Sequence, residues 1–127
     1  MEFTLHGVDI YTPEIDDKGI DLVARTRGGQ YWEIQVKSVF RSSKVYLDGS
    51  RFKIDQPNLL VALVRLIQDE APKAYLLKSS LWKETNSLFR RYDTISETRD
   101  GEYGIQIGKK NESLLSPYSF DKVVVTL

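Results

Sequence analysis

The feature that most constrains this chain is a pair of alternating segments around a glycine turn. Residues 19–24 and 31–38 place apolar or β-branched side chains between polar ones, and Arg27, Gly28 and Gly29 separate the two runs. This pattern predicts two antiparallel strands joined by a tight turn. Loop length then decides the register. With a three-residue loop, Thr26 pairs with Gln30, and Ala24, Leu22 and Ile20 fall opposite Trp32, Ile34 and Val36 in an unbroken apolar surface. The other surface carries Asp21 across from Gln35, flanked by Glu33 and Lys37. A two-residue Gly-Gly loop sets Leu22 against Gln35 and mixes polar with apolar on both surfaces. Because a slip of one residue inverts every side chain, the three-residue loop is expected, with Gly29 in the left-handed conformation. That register gathers a carboxylate, an amide oxygen and an ammonium on one surface.

This constellation resembles the PD-(D/E)xK nuclease superfamily, in which an Asp on one strand and an acid-x-Lys triplet on the next hold a divalent metal and an attacking water. Asp21 matches the Asp, Gln35 stands where the second acid would be, and Lys37 matches the Lys. Residues 8–40 carry the likeness. It implies an α/β fold, a restriction-endonuclease-like mixed sheet core with flanking helices, in a single domain spanning residues 1–127. It also implies metal-dependent phosphodiester hydrolysis of nucleic acid, DNA rather than RNA, with Mg²⁺ or Mn²⁺ as the cofactor. On that reading Asp21, Gln35 and Lys37 are catalytic, and Asp21, Gln35 and the backbone carbonyl of Val36 hold the metal. The family places a helix before its first strand, often with a metal-assisting Glu. Residues 1–6 are too short for more than the end of a helix, so that helix is expected to be short or absent, and only Glu2 is available there. Glu33 is the other additional acid.

The chemistry expected of these residues is specific. Mg²⁺ takes hard oxygen ligands, one or two carboxylates among them, and keeps several waters. Gln35 offers a neutral oxygen, so the site has one negative charge fewer than a two-acid site. A second reading follows from that difference: a catalytically decayed module of the same fold that binds nucleic acid or a protein partner. Taken singly, Asp21 and Lys37 equally suit a surface ion pair between strands, worth under about 1 kcal/mol.

Overall charge does not choose between these readings, since 18 basic residues balance 18 acidic ones. The distribution is less even. Between residues 25 and 53 lie Arg25, Arg27, Lys37, Arg41, Lys44, Arg51 and Lys53 against only Glu33 and Asp48, whereas Glu14, Asp16, Asp17 and Asp21 cluster just before. Arg41, Lys44, Arg51 and Lys53 are the candidate nucleic-acid contacts, with solvation of strand edges as the plainer alternative. The absence of cysteine removes disulfides, thiolate metal sites and thiol catalysis. A single histidine, His6, makes a His-rich zinc centre untenable. No apolar run is long enough to span a bilayer and no signal-peptide pattern follows Met1, so a cytoplasmic protein with no membrane partner is expected, and a homodimer is compatible with the sequence.

Along the remainder, residues 7–11 are expected to form a first strand, and residues 14–19 an acidic loop. Residues 45–47 and 51–54 suggest a hairpin about Asp48-Gly49. The apolar run 59–67 is expected to be a strand buried on both faces, followed by a strand over 74–77. Ser79-Ser80 suggests a cap for a helix over 81–92, with Arg90 and Arg91 complementing its dipole. A strand over 103–107, a brief helix at Ser116-Pro117 and an extended Val123-Val124-Val125 complete the expectation.

Overall fold

The structure is a computed structural model that describes residues 7–12, 20–41, 43–49, 51–92, 102–108 and 111–127. The predicted hairpin lies at its centre. Strands β1 (Asp9–Tyr11), β2 (Leu22–Arg25) and β3 (Tyr31–Phe40) run antiparallel in sequence. β3 then pairs in parallel with β5 (Leu59–Leu66), and β5 pairs antiparallel with β6 (Lys73–Lys78). The result is a five-stranded mixed sheet of order β1-β2-β3-β5-β6. β4 (Lys44–Asp48), β7 (Phe89–Tyr92) and β8 (Glu102–Gln106) form a second, antiparallel sheet of order β4-β8-β7. Among the described residues the helical segments are short: 3₁₀ turns at Ser79–Lys83 and Ser116–Tyr118, α1 (Glu112–Leu115) and α2 (Phe120–Val124).

The three-residue loop is the one that forms. Thr26 N–H donates to the Gln30 carbonyl at 2.8 Å, Ala24 faces Trp32, Leu22 faces Ile34, and Gly29 adopts φ +81°. A Cβ at Gly29 would meet nothing within 4 Å, so only backbone conformation penalises a side chain there. Gly29→Ala is therefore expected to lower stability by about 1 kcal/mol, read as a shift of the urea midpoint with unchanged slope.

The two surfaces of the five-stranded sheet bury two separate cores. Ala24, Ile34, Leu60, Ala62 and Leu76 pack beneath Phe120 and Val124 of α2. Leu59, Val61, Leu63, Tyr75 and Leu77, on the opposite surface, pack against Val45, Leu47, Phe89 and Ile105 of the second sheet and against Trp82 and Phe52. The apolar run of β5 thus serves both cores at once, which is why it shows no alternation. Each such buried Leu or Ile contributes about 1.5–3 kcal/mol of transfer free energy.

Four expectations are corrected. Residues 51–54 do not pair with β4. The Asp48 carbonyl accepts the Arg51 and Phe52 amides at 3.1 and 2.9 Å, and the turn delivers Phe52 into the core against the Trp82 and Tyr103 rings, while β4 pairs with β8. Residues 81–92 are not a helix. The Asn86 side-chain oxygen accepts the amides of Leu88 and Phe89, both at 2.8 Å, and turns the chain from the 3₁₀ segment into β7. Trp82 and Phe89 are core residues as expected, but this turn, not helical spacing, brings their rings to 4.8 Å. Arg90 and Arg91 accordingly sit on a strand rather than at a helix terminus. Val123 and Val124 belong to α2, where helical periodicity buries Val124 and leaves Val125 exposed, so packing overrides β-branched propensity. Finally, Ile20 joins the core on the Gln35 surface, while Leu22 joins the other. The alternation of β2 breaks at Asp21.

Candidate active site

That break positions the proposed ligand. Asp21 N–H donates to the Ile34 carbonyl at 2.9 Å, one residue out of step with the Leu22–Ile34 pairing. β2 therefore leaves the ladder at this point, and the next backbone donor of β3 on that side, Val36 N–H, has lost its strand partner. The Asp21 carboxylate replaces it: Oδ2 accepts the Val36 amide at 2.8 Å. Because the N–H and C=O of one strand residue point toward the same neighbour, the Val36 carbonyl also faces the Asp21 side. Asp21 is exposed, and its Oδ1 is the carboxylate oxygen not engaged by Val36.

Gln35 and Lys37 flank Val36 and project from the opposite surface of β3, beside Val61 and Leu63 of β5. Gln35 is only 5% exposed, and its Nε2 donates to the Arg51 carbonyl at 2.8 Å. A carbonyl accepts only, so this contact fixes which end of the amide is nitrogen and turns Oε1 the other way. Lys37 is half-buried. Glu33 is engaged elsewhere, its carboxylate accepting the Gln56 side-chain amide. Glu2 lies outside the described residues, as do the acids at 14, 16 and 17. Among the described residues no group of three His, Cys, Asp or Glu side chains could hold a metal.

The four basic candidates are dispersed. Arg51 is exposed in the turn after β4 and reaches the site through its carbonyl. Lys53 Nζ donates to the Gly49 carbonyl at 3.1 Å, and Lys44 begins β4. Arg41, with φ +60°, follows β3, donates to Gln68 Oε1 at 3.0 Å and lies over the Phe40 ring at 4.9 Å. The sequence reading missed Gln56 and Ser79. The Gln56 side chain bonds Glu33 and Asn58, while its carbonyl accepts the Ser79 hydroxyl at 2.8 Å, fixing the loop that leads into β5. The signal was available in the polar cluster Asp55-Gln56-Pro57-Asn58 abutting the apolar run.

A restriction endonuclease family model matches residues 7–48, one third of the chain, a span that contains Asp21, Gln35 and Lys37. A search of curated proteins found no match. Among solved structures, Hjc from Archaeoglobus fulgidus, a Holliday junction resolvase, superposes with a TM-score of 0.59 at 14% identity, covering 98% of this chain and 87% of that one. The fold is that of the PD-(D/E)xK nucleases. Within it, the hairpin and the strand β5 were expected from the sequence, and the parallel pairing of β3 with β5 is added by the structure. Among the described residues its helical segments are short, at Ser79–Lys83, Glu112–Leu115, Ser116–Tyr118 and Phe120–Val124. No helix among the described residues is long and apolar enough to cross a membrane.

Proposed function

We propose that this chain, as a single domain over residues 1–127, is a divalent-metal-dependent nuclease that cleaves phosphodiester bonds in DNA. The observation that carries the reading is the Asp21 carboxylate held against Val36 at 2.8 Å, where β2 departs from β3. The donors this reading assigns to the metal are a carboxylate oxygen of Asp21, the Val36 carbonyl and the Gln35 amide oxygen. All three are hard oxygens, a set suited to Mg²⁺ or Mn²⁺ with water completing the shell. Such an ion, when bound, supplies charge neutralisation at the phosphate and a more acidic water. The protein's own contributions are distinct from that. Asp21 is oriented before any ligand arrives, because the Val36 amide fixes one of its oxygens. Lys37 supplies an ammonium two residues along the same strand, which takes part in proton transfer from the attacking water and stabilises charge developing on the phosphate. Arg41, Lys44, Arg51 and Lys53 contact the nucleic-acid backbone. Of the two additional acids, Glu33 would have to give up its bond to Gln56 to supplement the site, which leaves Glu2 as the readier one.

The test is Mg²⁺- or Mn²⁺-dependent nicking of supercoiled plasmid DNA, with linear duplex and a four-way junction as parallel substrates, since the similar solved structure is that of a Holliday junction resolvase. Cleavage of any of them that chelation abolishes supports the reading. Salt-sensitive DNA binding with no cleavage and no metal effect favours the second reading, a decayed module of the same fold. The observation on that side is Gln35, neutral and already committed to the Arg51 carbonyl. The absence of cysteine suits a reducing, cytoplasmic setting, and sedimentation of the free chain tests for a homodimer.

The Arg51 contact also sharpens what an acid at position 35 does. Gln35→Glu replaces an N–H donor with a carboxylate facing a carbonyl in a buried position. Without metal, the variant is expected to lose about 1–3 kcal/mol of stability. With saturating Mg²⁺ or Mn²⁺ it should recover more than the unaltered chain does, because the new charge gains a cation. Thermal melts with and without metal check this. Equal metal-induced shifts in the two proteins would remove position 35 from the metal shell.

A further inference from the structure

A cation-lined hollow lies apart from Asp21, which is not among its lining residues. Trp82, Lys83, Thr85, Arg90 and Arg91 enclose a cavity of about 390 Å³ at the open edge of β7. Its construction follows from the corrected fold. The 3₁₀ segment ends at Lys83, Asn86 turns the chain into β7, and the turn carries Lys83 and Thr85 back alongside the strand that bears both arginines. Among the described residues β7 pairs only with β8, the sheet order being β4-β8-β7. Gln106 N–H donates to the Leu88 carbonyl, so Leu88, Arg90 and Tyr92 direct their backbone groups toward β8 and Arg91 directs its own toward the open edge. Successive strand side chains point to opposite faces, yet both arginines line one hollow, because it wraps the strand edge. Arg91 also lies over the Tyr103 ring at 6.0 Å, which limits the directions its guanidinium can take. Among the described residues no carboxylate lines the cavity.

We propose that this cavity is a phosphate-binding subsite, with Lys83 and Arg90 as the cations and the Thr85 hydroxyl as a neutral donor. Guanidinium groups match phosphate oxygens with paired donors, and an ammonium adds a point charge. The occupant is a backbone phosphate of the DNA strand that also reaches Asp21, so the inference rests on the nuclease reading. The path between the two places is short in contacts. Trp82, on the cavity wall, meets the Phe52 ring at 5.0 Å, and the adjoining Arg51 carbonyl holds Gln35. Asp48, just before that turn, and Tyr92, the last residue of β7, both pair with Glu102, so a strand lying over the Arg51 turn is at that same end of the second sheet.

Two measurements test the subsite separately from the nuclease reading. First, Kd for a short DNA duplex is measured from low to moderate salt for the unaltered chain, for Lys83→Gln/Arg90→Gln and for Lys73→Gln, a control on the exposed start of β6. The double variant should bind several-fold more weakly and its slope of log K against log salt should flatten by about 1, whereas the control should match the unaltered chain. Second, inorganic phosphate is titrated into labelled protein and followed by NMR. Saturable shifts at the Thr85 and Arg90 amides, absent in the double variant, are expected. An unchanged salt slope in the double variant overturns the assignment to DNA, and phosphate shifts that neither saturate nor depend on these residues overturn the anion site itself. If the chain binds no DNA while phosphate still saturates the cavity, the nuclease reading fails and the anion site stands as one for free phosphate.

Discussion

Asp21→Ala should reduce metal-dependent nicking by at least about 10²-fold while leaving the fold intact. The first half follows from chemistry: the substitution removes the only carboxylate that the described residues bring to Val36, and a hard cation binds poorly to the two neutral oxygens that remain. The second half follows from exposure. Asp21 lies outside the β2 ladder and is exposed, so losing its bond to the Val36 amide costs about 1 kcal/mol. Asp21→Asn separates the two effects. Its amide oxygen can still accept the Val36 N–H, so stability should be nearly unchanged, yet the charge is gone and cleavage should fall as far as in the Ala variant. Lys37→Ala should lower the nicking rate by about 10²–10⁴-fold with DNA affinity reduced far less, as expected of a group that acts chiefly in the transition state. Plasmid nicking assayed beside urea unfolding reads both quantities. Nicking that persists in Asp21→Asn at the unaltered rate would dismantle the proposed centre.

Trp82→Ala should be the most damaging single core change, costing about 3–5 kcal/mol. Trp82 is 1% exposed, meets Phe52 at 5.0 Å and Phe89 at 4.8 Å edge-on, and donates its indole N–H to the Gly104 carbonyl at 3.0 Å. The ring thereby joins the Phe52 turn, β7 and β8 at one point. Trp82→Phe keeps most of the volume but withdraws the donor, and a loss of about 1–3 kcal/mol is expected from that alone. Chemical denaturation followed by circular dichroism measures both. A cost below 1 kcal/mol for Trp82→Ala would mean the second sheet does not depend on this junction.

The parts of the fold visible in the sequence are those where local chemistry and tertiary packing agree. The turn at Gly29 was legible because only one loop length keeps Leu22 and Ala24 on an apolar surface with Ile34 and Trp32, and β5 because its uninterrupted apolar run has nowhere to lie except between two cores. The segment 81–92 was not legible. Leu81, Leu88 and Tyr92 happen to recur at helical intervals, and the residue that ends the 3₁₀ turn, Asn86, exerts its effect through bonds to Leu88 and Phe89 that composition does not announce. The final valines were misjudged for the converse reason: their intrinsic preference is extended, and the cover they give Ala62 and Leu76 in the core is a long-range demand. In the candidate site, Asp21 was proposed from register, but the break that turns its carboxylate onto Val36 required the structure. The Gln35 tether to Arg51 joins residues sixteen positions apart and left no trace in spacing.

One residue in that tether has two ends with different duties. The Arg51 side chain is exposed, while its peptide oxygen accepts the amide of Gln35 beneath. Removing the guanidinium by substitution therefore leaves the contact that orients Gln35 in place, and only a change in the backbone of that turn would release it.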